Sequence, residues 1–433
     1  MVNNVNTAPA APKKPELLAP AGGLEQLRQA LRFGADAVYL AAERFGLRAR
    51  ASNFELAELA QAAALAHQHQ AKVYVTCNAL MSNQDIKDLP AYLEAFAAAK
   101  VDALIASDMA VFRLARTYAP QLALHVSTQA SCSNAQAALS WQELGAKRIV
   151  CAREMSLADI AAMRSELPSE LELEVFVHGA MCMAISGRCL ISSFLNTRSA
   201  NEGNCSQPCR WEYLLDEQEG LEQNPEQHLA LEEKTRRGEF FALEEDAQGS
   251  YLMSSKDLCM LPHLGELAAT GVNSLKIEGR NKKAMYVATV VNAYRQVLDG
   301  APASEFISEL DTVSHRPYST GFFFGPAQQA HDAKGYTQTH DLVAEVLSQH
   351  PGGRTEVICR NRFYEGELLE VLSPQQKVRS FEVKDLRYEG TAEDIASSTC
   401  ASRAMETYSF VTELDLKSLD LLRAKRKDSS KKN

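Results

Sequence analysis

Eight short apolar runs alternate with amphipathic stretches between residues 16 and 298, and this repetition restricts the possible fold more than any other feature. The runs, several of them rich in β-branched residues, are 16–19, 37–40, 72–77, 102–106, 122–126, 148–152, 172–178 and 273–277. Apolar residues recur at helical spacing in stretches such as 24–33, 55–69, 85–99, 109–118, 134–144, 157–166 and 281–298. Eight strand–helix units in about 280 residues predict an α/β fold, a (β/α)8 TIM-like barrel. A doubly wound open sheet is the alternative, although no Gly-x-Gly-x-x-Gly run follows any predicted strand.

The predicted barrel domain spans residues 15–330, and the rest of the chain has a different character. Residues 1–14 are small and polar and are expected to form a disordered leader rather than a signal peptide. Residues 336–415 contain short β-patterned runs joined by Gly- and Pro-bearing turns, which predict a small C-terminal antiparallel β-barrel domain. Such barrels often carry nucleic acid. Residues 416–433 are expected to form a disordered basic tail.

Charge is distributed unevenly along the chain. The net charge is −10, and an acidic insertion at 216–247 contributes −8 of it through eleven acidic and three basic residues. Residues 423–433 carry six basic residues and one acidic residue, or +5. A local basic surface for nucleic acid is therefore compatible with the overall negative charge. No apolar run approaches the roughly 18 residues of a membrane span, so we expect a cytoplasmic protein without a membrane partner.

Polar residues follow many of the predicted strands. They are Arg48 and Arg50, Asn78, Gln129, Arg153, His178 and, around the eighth strand, Lys276, Glu278 and Arg280. In a barrel these positions gather over one cavity, which favours a binding or catalytic role. Each residue also has a structural interpretation: His178 as a hydrogen-bonded core histidine, and Lys276 with Glu278 as part of an internal ion-pair network. Two arginines in a short Gly-bearing loop suit a carboxylate or phosphate ligand.

A cysteine-rich segment at 178–259 begins at the end of the seventh predicted strand. It holds five of the ten cysteines, Cys182, Cys189, Cys205, Cys209 and Cys259, among Gly, Ser, Asn and Arg rather than core-forming residues. Four thiolates at one point fit either tetrahedral zinc or an iron–sulfur cluster, and the spacing does not choose between them. Buried thiols packed as small hydrophobes are the structural alternative. Disulfides are disfavoured because the expected compartment is reducing.

Several common classes of enzyme are excluded by the absence of their motifs. The chain has no His-Glu-x-x-His, no Gly-x-Ser-x-Gly and no Walker A run, which excludes zincin proteases, serine hydrolases and P-loop enzymes. The spacing of His178 and Cys182 within one loop does not match a papain-like pair. Nothing marks a PLP or flavin site.

Six stretches resemble a known family. They are 16–40, 45–54, 178–189, 204–211, Ser255-Lys-Asp-Leu-Cys259 and Ser274-Leu-Lys-Ile-Glu-Gly-Arg280. With these motifs nearly the whole chain resembles the collagenase-like peptidase U family, and within it the branch that forms 5-hydroxyuridine in tRNA. Other branches hydroxylate 23S rRNA or act in oxygen-independent ubiquinone synthesis. The absence of a protease motif leads us to discount the peptidase name.

The resemblance implies hydroxylation of the wobble uridine of tRNA, with prephenate as co-substrate and without molecular oxygen. It also implies a [4Fe-4S] cluster bound by Cys182, Cys189, Cys205 and Cys259, with Cys209 as the alternative fourth ligand. We expect His178 and Lys276 to handle protons near the cluster and Glu278 to orient Lys276. Prephenate is a dicarboxylate, and the residues expected to bind it are Arg48, Arg50, Gln129, Arg153 and Arg280.

Three other functions remain open at this stage. One is an iron–sulfur hydroxylase of a quinone-type substrate or of rRNA, another is a zinc-stabilised peptidase or scaffold, and the third is RNA binding without catalysis. The C-terminal β domain and the basic tail favour RNA, because a quinone enzyme has no evident use for them. No motif identifies a partner that donates electrons.

Overall fold

The computed structural model describes residues 14–47, 53–182, 185–189, 191–192, 198, 200, 203–211, 213–216, 230–233, 240–242, 245–246, 249–250, 255–327, 336–390 and 396–426. The predicted leader, apart from Lys14, lies outside these residues, and so does most of the acidic insertion.

Strands β1 to β14 belong to the first part of the chain. They are β1 (Glu16–Pro20), β2 (Ala37–Leu40), β3 (Lys72–Cys77), β4 (Ala103–Ala106), β5 (Ala123–Val126), β6 (Ala146–Val150), β7 (Glu172–Ala180), β8 (Tyr213–Asp216), β9 (Ala230–Glu233), β10 (Phe240–Ala242), β11 (Glu245–Asp246), β12 (Gly249–Ser250), β13 (Asp257–Cys259) and β14 (Ser274–Ile277). Strands β1 to β7 pair in sequence order, and β14 pairs in parallel with both β7 and β1. The closed eight-stranded parallel barrel confirms the predicted fold.

Helices surround the barrel. They are α1 (Leu24–Arg32), α2 (Leu56–Gln68), α3 (Asn83–Ala98), α4 (Met109–Tyr118), α5 (Ala135–Glu143), α6 (Leu157–Glu166), α7 (Leu264–Ala269) and α8 (Ala284–Leu298). Side chains placed just before four of them, Ser82, Asp108, Asn134 and Ser156, accept a hydrogen bond from a first-turn N–H. Such caps explain where these helices begin. Within the described part of the chain, no helix is both long and apolar enough to cross a membrane.

The strand β7 is longer than its neighbours, and its final part joins the cysteine-rich segment to the barrel. Strand β13 pairs antiparallel with the end of β7, placing Asp257 opposite Ala180 and Cys259 opposite His178. In the insertion, β8, β9 and β10 form an antiparallel sheet and β11 pairs with β12. The cysteine segment therefore leaves and re-enters the fold at the carboxyl end of the barrel.

The C-terminal region forms a curled antiparallel sheet, which confirms the predicted class of the second domain. After β15 (Tyr318–Ser319), its elements are β16 (His340–Gln349), β17 (Arg354–Cys359), β18 (Phe363–Tyr364), β19 (Leu368–Leu372), β20 (Arg379–Glu382), β21 (Lys384–Tyr388), β22 (Ala396–Ser397), β23 (Cys400–Ala401), β24 (Thr407–Val411) and β25 (Leu421–Lys425). Eight of these strands pair in the order β20-β19-β25-β16-β17-β24-β21-β22. Alternate side chains of the sheet form a separate hydrophobic core.

The predicted disordered tail at 416–433 needs correction, because strand β25 lies within it. Arg423, counted as part of a basic tail, is 1% exposed. Its guanidinium contacts Glu309 and Glu370, each at 2.8 Å, and Thr312 at 3.0 Å. These partners compensate the buried charge, so a basic residue occupies a central strand. The last seven residues, 427–433, lie outside the described part of the chain.

Candidate active site

Six of the residues predicted from strand ends surround one pocket at the mouth of the barrel. They are Asn78, Gln129, Arg153, Lys276, Glu278 and Arg280, with Tyr39 and Phe176 among their neighbours. Parallel strands bring their carboxyl ends to the same face, which explains why residues so far apart in sequence meet here. Arg48 and Arg50 lie outside the described residues. We call this site the mouth pocket.

Arg153 is fixed in the mouth pocket by stacking and by polar contacts. Its guanidinium carbon lies 3.8 Å from the ring centroid of Phe176. Nη1 donates a hydrogen bond to the carbonyl of Ala180 at 2.8 Å, and Nη2 lies 3.7 Å from a carboxylate oxygen of Glu278. A planar guanidinium oriented in this way is suited to binding a carboxylate.

The buried Lys276 ammonium is oriented by Glu174 on the neighbouring strand. Nζ donates to Glu174 Oε1 at 2.7 Å and lies 4.5 Å from the ring centroid of Tyr39. Glu278 affects Lys276 through its charge. The hydrogen bond that orients this lysine goes to Glu174, which corrects the expectation that Glu278 orients it. Burial lowers the pKa of Lys276 below its ordinary value, and the charge of Glu174 opposes that shift.

An ionic network continues from Lys276 into the barrel interior. Arg148 contacts Glu16 and Glu172 at 2.6 Å and Glu174 at 3.0 Å. Burial alone would raise the pKa of Glu174, but the charges of Lys276 and Arg148 bring it below its ordinary value. Glu174 is therefore ionised although its side chain is fully buried. The Glu174 carboxylate thus connects Lys276, which lines the mouth pocket, to Arg148 and its ion pairs in the barrel interior.

A second pocket lies among the cysteines. Cys182, Cys205 and Cys209 line it together with Glu278 and Lys282, and we call it the cysteine pocket. Burial raises the pKa of the Cys189 thiol, and the charges of Cys205 and Cys182 add to that shift. Three of the five predicted ligand candidates thus line one pocket, and a fourth interacts electrostatically with two of them.

Cys259 is the fifth candidate ligand. It occupies β13 opposite His178, is 5% exposed, and is not one of the described residues that line the cysteine pocket. Burial raises the pKa of its thiol to about 11, while a hydrogen bond with Tyr294 acts in the other direction. Cys209 lines the cysteine pocket and Cys259 lies on β13, and the resemblance implies Cys259 as the fourth ligand with Cys209 as the alternative. The ligand set stays a prediction.

The spacing of the thiols bears on which group they could hold. Among the described residues, no three Cys, His, Asp or Glu side chains converge closely enough to bind a single metal ion. A tetrahedral zinc site requires such convergence, since Zn–S bonds of about 2.3 Å hold the sulfurs within about 4 Å of one another. An iron–sulfur cube holds its thiolates farther apart, at separate corners. Three cysteines line one pocket, and thiolates are ligands that either group can use, so the choice between zinc and a cluster stays a prediction.

Glu278 forms the boundary between the two pockets, because it lines both. Beyond it, Arg280 lines the mouth pocket, while Gly279 and Lys282 line the cysteine pocket. The Tyr39 hydroxyl, which donates to the carbonyl of Ile277 at 2.9 Å, also lies 3.4 Å from the Glu278 carboxylate. A carboxylate in this position can exchange a proton with either pocket.

His178 faces the helices rather than the mouth pocket. The pairing of β14 with β7 shifts register after Lys276, so that Ile277 lies opposite His178. The imidazole packs against the rings of Tyr286 and Tyr294 on α8 and of Tyr318. Burial lowers the pKa of His178 to about 3, with smaller contributions from the charges of His315 and Lys282. The side chain is therefore neutral at physiological pH.

Two parts of the chain match known protein families. Residues 22–333 match "Peptidase family U32", and residues 338–423 match "Peptidase family U32 C-terminal domain". The chain belongs to peptidase family U32. The boundary between the two matches falls where the barrel gives way to the antiparallel sheet.

Relatives within family U32 carry different names. The tRNA hydroxylation protein P of Escherichia coli is 36% identical over 402 residues, covering 84% of this chain and 87% of that protein. A 23S rRNA 5-hydroxycytidine synthase of Escherichia coli is 36% identical over 284 residues, covering 66% of this chain and 39% of that protein. A collagenase of Porphyromonas gingivalis is 31% identical over 328 residues, covering 72% of this chain and 73% of that protein.

Glu174 of this U32 chain was not among the predicted site residues, although the sequence contains a signal for it. In the predicted strand at 172–178 the acids Glu172 and Glu174 alternate with Leu173 and Val175. Period-two alternation places both acids on one face, and in a barrel strand that face is the interior. A carboxylate inside a barrel requires a cation, and Lys276 on the next strand supplies it.

We expect the U32 chain to lose stability in acid because of His178. The folded protein keeps His178 neutral down to its pKa of about 3, whereas the unfolded chain protonates it below about pH 6.5. The unfolded state therefore binds more protons in this window, and the free energy of unfolding should fall by up to about 1.4 kcal/mol per pH unit as pH drops. Urea unfolding between these limits measures the slope. His178→Gln should flatten it, while the exposed His350→Gln should not; equal slopes in both variants would contradict the assignment.

Proposed function

We propose that this protein hydroxylates the wobble uridine of tRNA to 5-hydroxyuridine, using prephenate as co-substrate, no molecular oxygen and a [4Fe-4S] cluster. One observation carries the proposal: Glu278 lines both the cysteine pocket and the mouth pocket. A substrate in the mouth pocket would then lie one side chain away from the cluster. Relatives named for hydroxylation of tRNA and of rRNA cytidine support a nucleotide substrate. Action on tRNA in the cytoplasm is part of the proposal.

The charge of the mouth pocket suits a dianionic co-substrate. Arg153, Lys276 and Arg280 bring three positive charges to the lining, and two negative charges oppose them, that of Glu278 in the lining and that of the buried Glu174 paired with Lys276. Prephenate carries two carboxylates, and two guanidinium groups can each bind one of them through paired hydrogen bonds. Gln129 adds an amide to the same lining. The binding role of these residues rests on their shared location and charge.

The cysteine pocket would hold the cluster through Cys182, Cys189 and Cys205, with Cys209 or Cys259 as the fourth ligand. A bound cluster supplies one-electron transfer, with a potential set by nearby charge and hydrogen bonds. Glu278 would hold or release a proton at its carboxylate on the side facing the substrate. Lys276 would remain the fixed cation of the mouth pocket, oriented by Glu174.

An RNA loop would reach this site from the exposed side of the cysteine segment. Arg188 and Lys283, which flank Cys189 and Lys282 in sequence, are exposed there and can contact phosphates. The wobble base lies in a single-stranded loop, where proteins read bases that are splayed out of the stack.

Mass spectrometry of tRNA nucleosides tests the proposal. Anaerobically purified, cluster-loaded protein is incubated with unmodified tRNA, with and without prephenate, and in parallel with unmodified 23S rRNA. We expect one oxygen to be added to uridine only in tRNA and only with prephenate. Addition to rRNA cytidine would favour the activity of the rRNA relative, and no addition despite an intact brown cluster would contradict the proposal.

Losing both Arg48 and Arg50 should raise the prephenate concentration needed for half-maximal activity by about 100-fold or more, if these arginines bind a carboxylate directly. The double change to Gln is compared with Arg113→Gln, an exposed arginine on α4. Prephenate titration of tRNA hydroxylation is the measurement. An unchanged requirement would remove both arginines from the proposed binding site.

A further inference from the structure

Two adjacent residues at the end of β6 connect the mouth pocket to the cysteine segment. Arg153 lines the mouth pocket and donates to the carbonyl of Ala180, two residues before Cys182. Glu154 accepts hydrogen bonds from Ser186, three residues before Cys189. The same dipeptide therefore contacts the cysteine segment just ahead of two predicted cluster ligands.

The contact with Ser186 is built from several hydrogen bonds. The backbone N–H of Ser186 donates to Glu154 Oε1 at 2.8 Å, and its hydroxyl donates to the same oxygen at 3.1 Å. The Ser131 hydroxyl donates to the Ser186 carbonyl from the loop after β5. Ser186 is 9% exposed, so these bonds are shielded from water and hold the loop in one position.

Gly187 brings the cysteine segment against the mouth pocket itself. Its φ of +77° favours glycine, and a Cβ at this position would lie 2.1 Å from the carbonyl oxygen of Gln129. Gln129 is one of the residues that line the mouth pocket. The loop that carries Cys189 thus rests on the wall of the mouth pocket, with no room for a side chain between them.

We propose that the two pockets are energetically coupled through Arg153 and Glu154, with Glu154 as a positioning residue. An anion bound by Arg153 would restrict the motion of this side chain. Because Arg153 also donates to the carbonyl of Ala180, the start of the cysteine segment would be restricted too. Glu154, in the same loop after β6, holds Ser186 farther along that segment. Binding of the dicarboxylate and loading of the cluster therefore favour each other. This inference rests on the proposed function for the identity of both ligands.

Coupling of this kind is reciprocal and has a measurable size. If loading the cluster raises the affinity for the dicarboxylate by some factor, binding the dicarboxylate must raise the affinity for the cluster by the same factor. In coupled proteins, one ligand typically changes the affinity for the other by about 5- to 150-fold. We expect a factor of about tenfold here, because the connection runs through two adjacent residues. If the role of Glu154 were purely structural, replacing it would destabilise the fold without changing this factor.

The test measures the dissociation constant of prephenate by anaerobic calorimetry, for protein with and without its cluster. The native chain should bind prephenate about tenfold more tightly when loaded. Glu154→Ala should bring the ratio close to one, whereas Glu154→Gln should keep most of it, since the amide oxygen still accepts from the Ser186 N–H. Ser186→Ala, which preserves the carboxylate and the backbone contact, should give an intermediate ratio. Glu170→Gln, an exposed acid beyond α6, serves as the matched control and should leave the ratio unchanged.

The reverse measurement uses no substrate turnover. The rate at which a chelator bleaches the cluster should fall in the presence of prephenate in the native chain, and not in Glu154→Ala. A ratio of one in the native chain, or the same ratio in Glu154→Ala, would overturn the coupling while leaving the hydroxylase proposal intact. No binding of prephenate to either form would instead overturn the proposed co-substrate, and the coupling with it.

Discussion

Replacing Cys182, Cys189 or Cys205 with Ser is expected to remove the brown colour, the bound iron and tRNA hydroxylation together. Each thiolate is a predicted ligand, and Cys182 and Cys205 line the cysteine pocket with Cys189 beside them. A serine hydroxyl is a poor substitute for a thiolate at iron, so activity should fall more than about 100-fold, beyond the usual effect of changing an outer-shell partner. Iron content and the visible spectrum are measured beside activity. Cys400→Ser, in the C-terminal sheet, is the control that should keep all three properties.

The same set of variants decides the fourth ligand. Cys209 shares the cysteine pocket with Cys182, whereas Cys259 is buried on β13 near Tyr294. The variant that keeps colour and iron, either Cys209→Ser or Cys259→Ser, identifies the spare cysteine. Stoichiometric zinc in a colourless, active native protein would contradict the cluster altogether.

Glu174→Gln is expected to destabilise the fold by about 3–5 kcal/mol, the usual cost of leaving a buried charge without its partner. The carboxylate of Glu174 is fully buried and pairs with Arg148 and Lys276, so its loss leaves two cations in the barrel interior with less compensation. Urea unfolding measures the change in the free energy of unfolding. The double variant Glu174→Gln with Lys276→Met should recover part of the loss, because it removes one uncompensated cation.

Glu172→Gln is the matched control, since Glu172 contacts the same Arg148 at 2.6 Å but is 42% exposed. Solvent screens this pair, so we expect a change of at most about 1 kcal/mol. Equal destabilisation by the two substitutions would show that burial of Glu174 does not determine the strength of the network.

Much of the barrel could be predicted from the sequence because its strands are short, apolar and regularly spaced. The strands 37–40 and 72–77 have the predicted bounds. The mouth pocket was predictable for the same reason: strand ends gather on one face of a barrel, so Arg153 and Arg280 had to lie near each other. Neither prediction required knowledge of side-chain contacts.

The misplaced residues depend on contacts that a linear pattern does not contain. His178 was expected at the mouth pocket, but the register shift after Lys276 places it against the tyrosines of α8. Such irregularities redirect a side chain without any marked change in the sequence pattern. Arg423 had the composition of a tail, and only its ion pairs with Glu309 and Glu370 explain why it is buried in a strand.

The position of β25 has a consequence for the synthesis of the protein. It is the last described strand in the chain, yet it lies between β16 and β19 in the sheet. Until residues 421–425 leave the ribosome, no strand bridges the pair β19–β20 and the group of strands β16, β17, β24, β21 and β22. One edge of β16 is then unpaired. The barrel closes with β14, which is made much earlier. Nascent chains therefore pass through an intermediate with a completed barrel and a divided sheet. The unpaired strand edges of this intermediate could pair with other chains and aggregate, or be bound by chaperones.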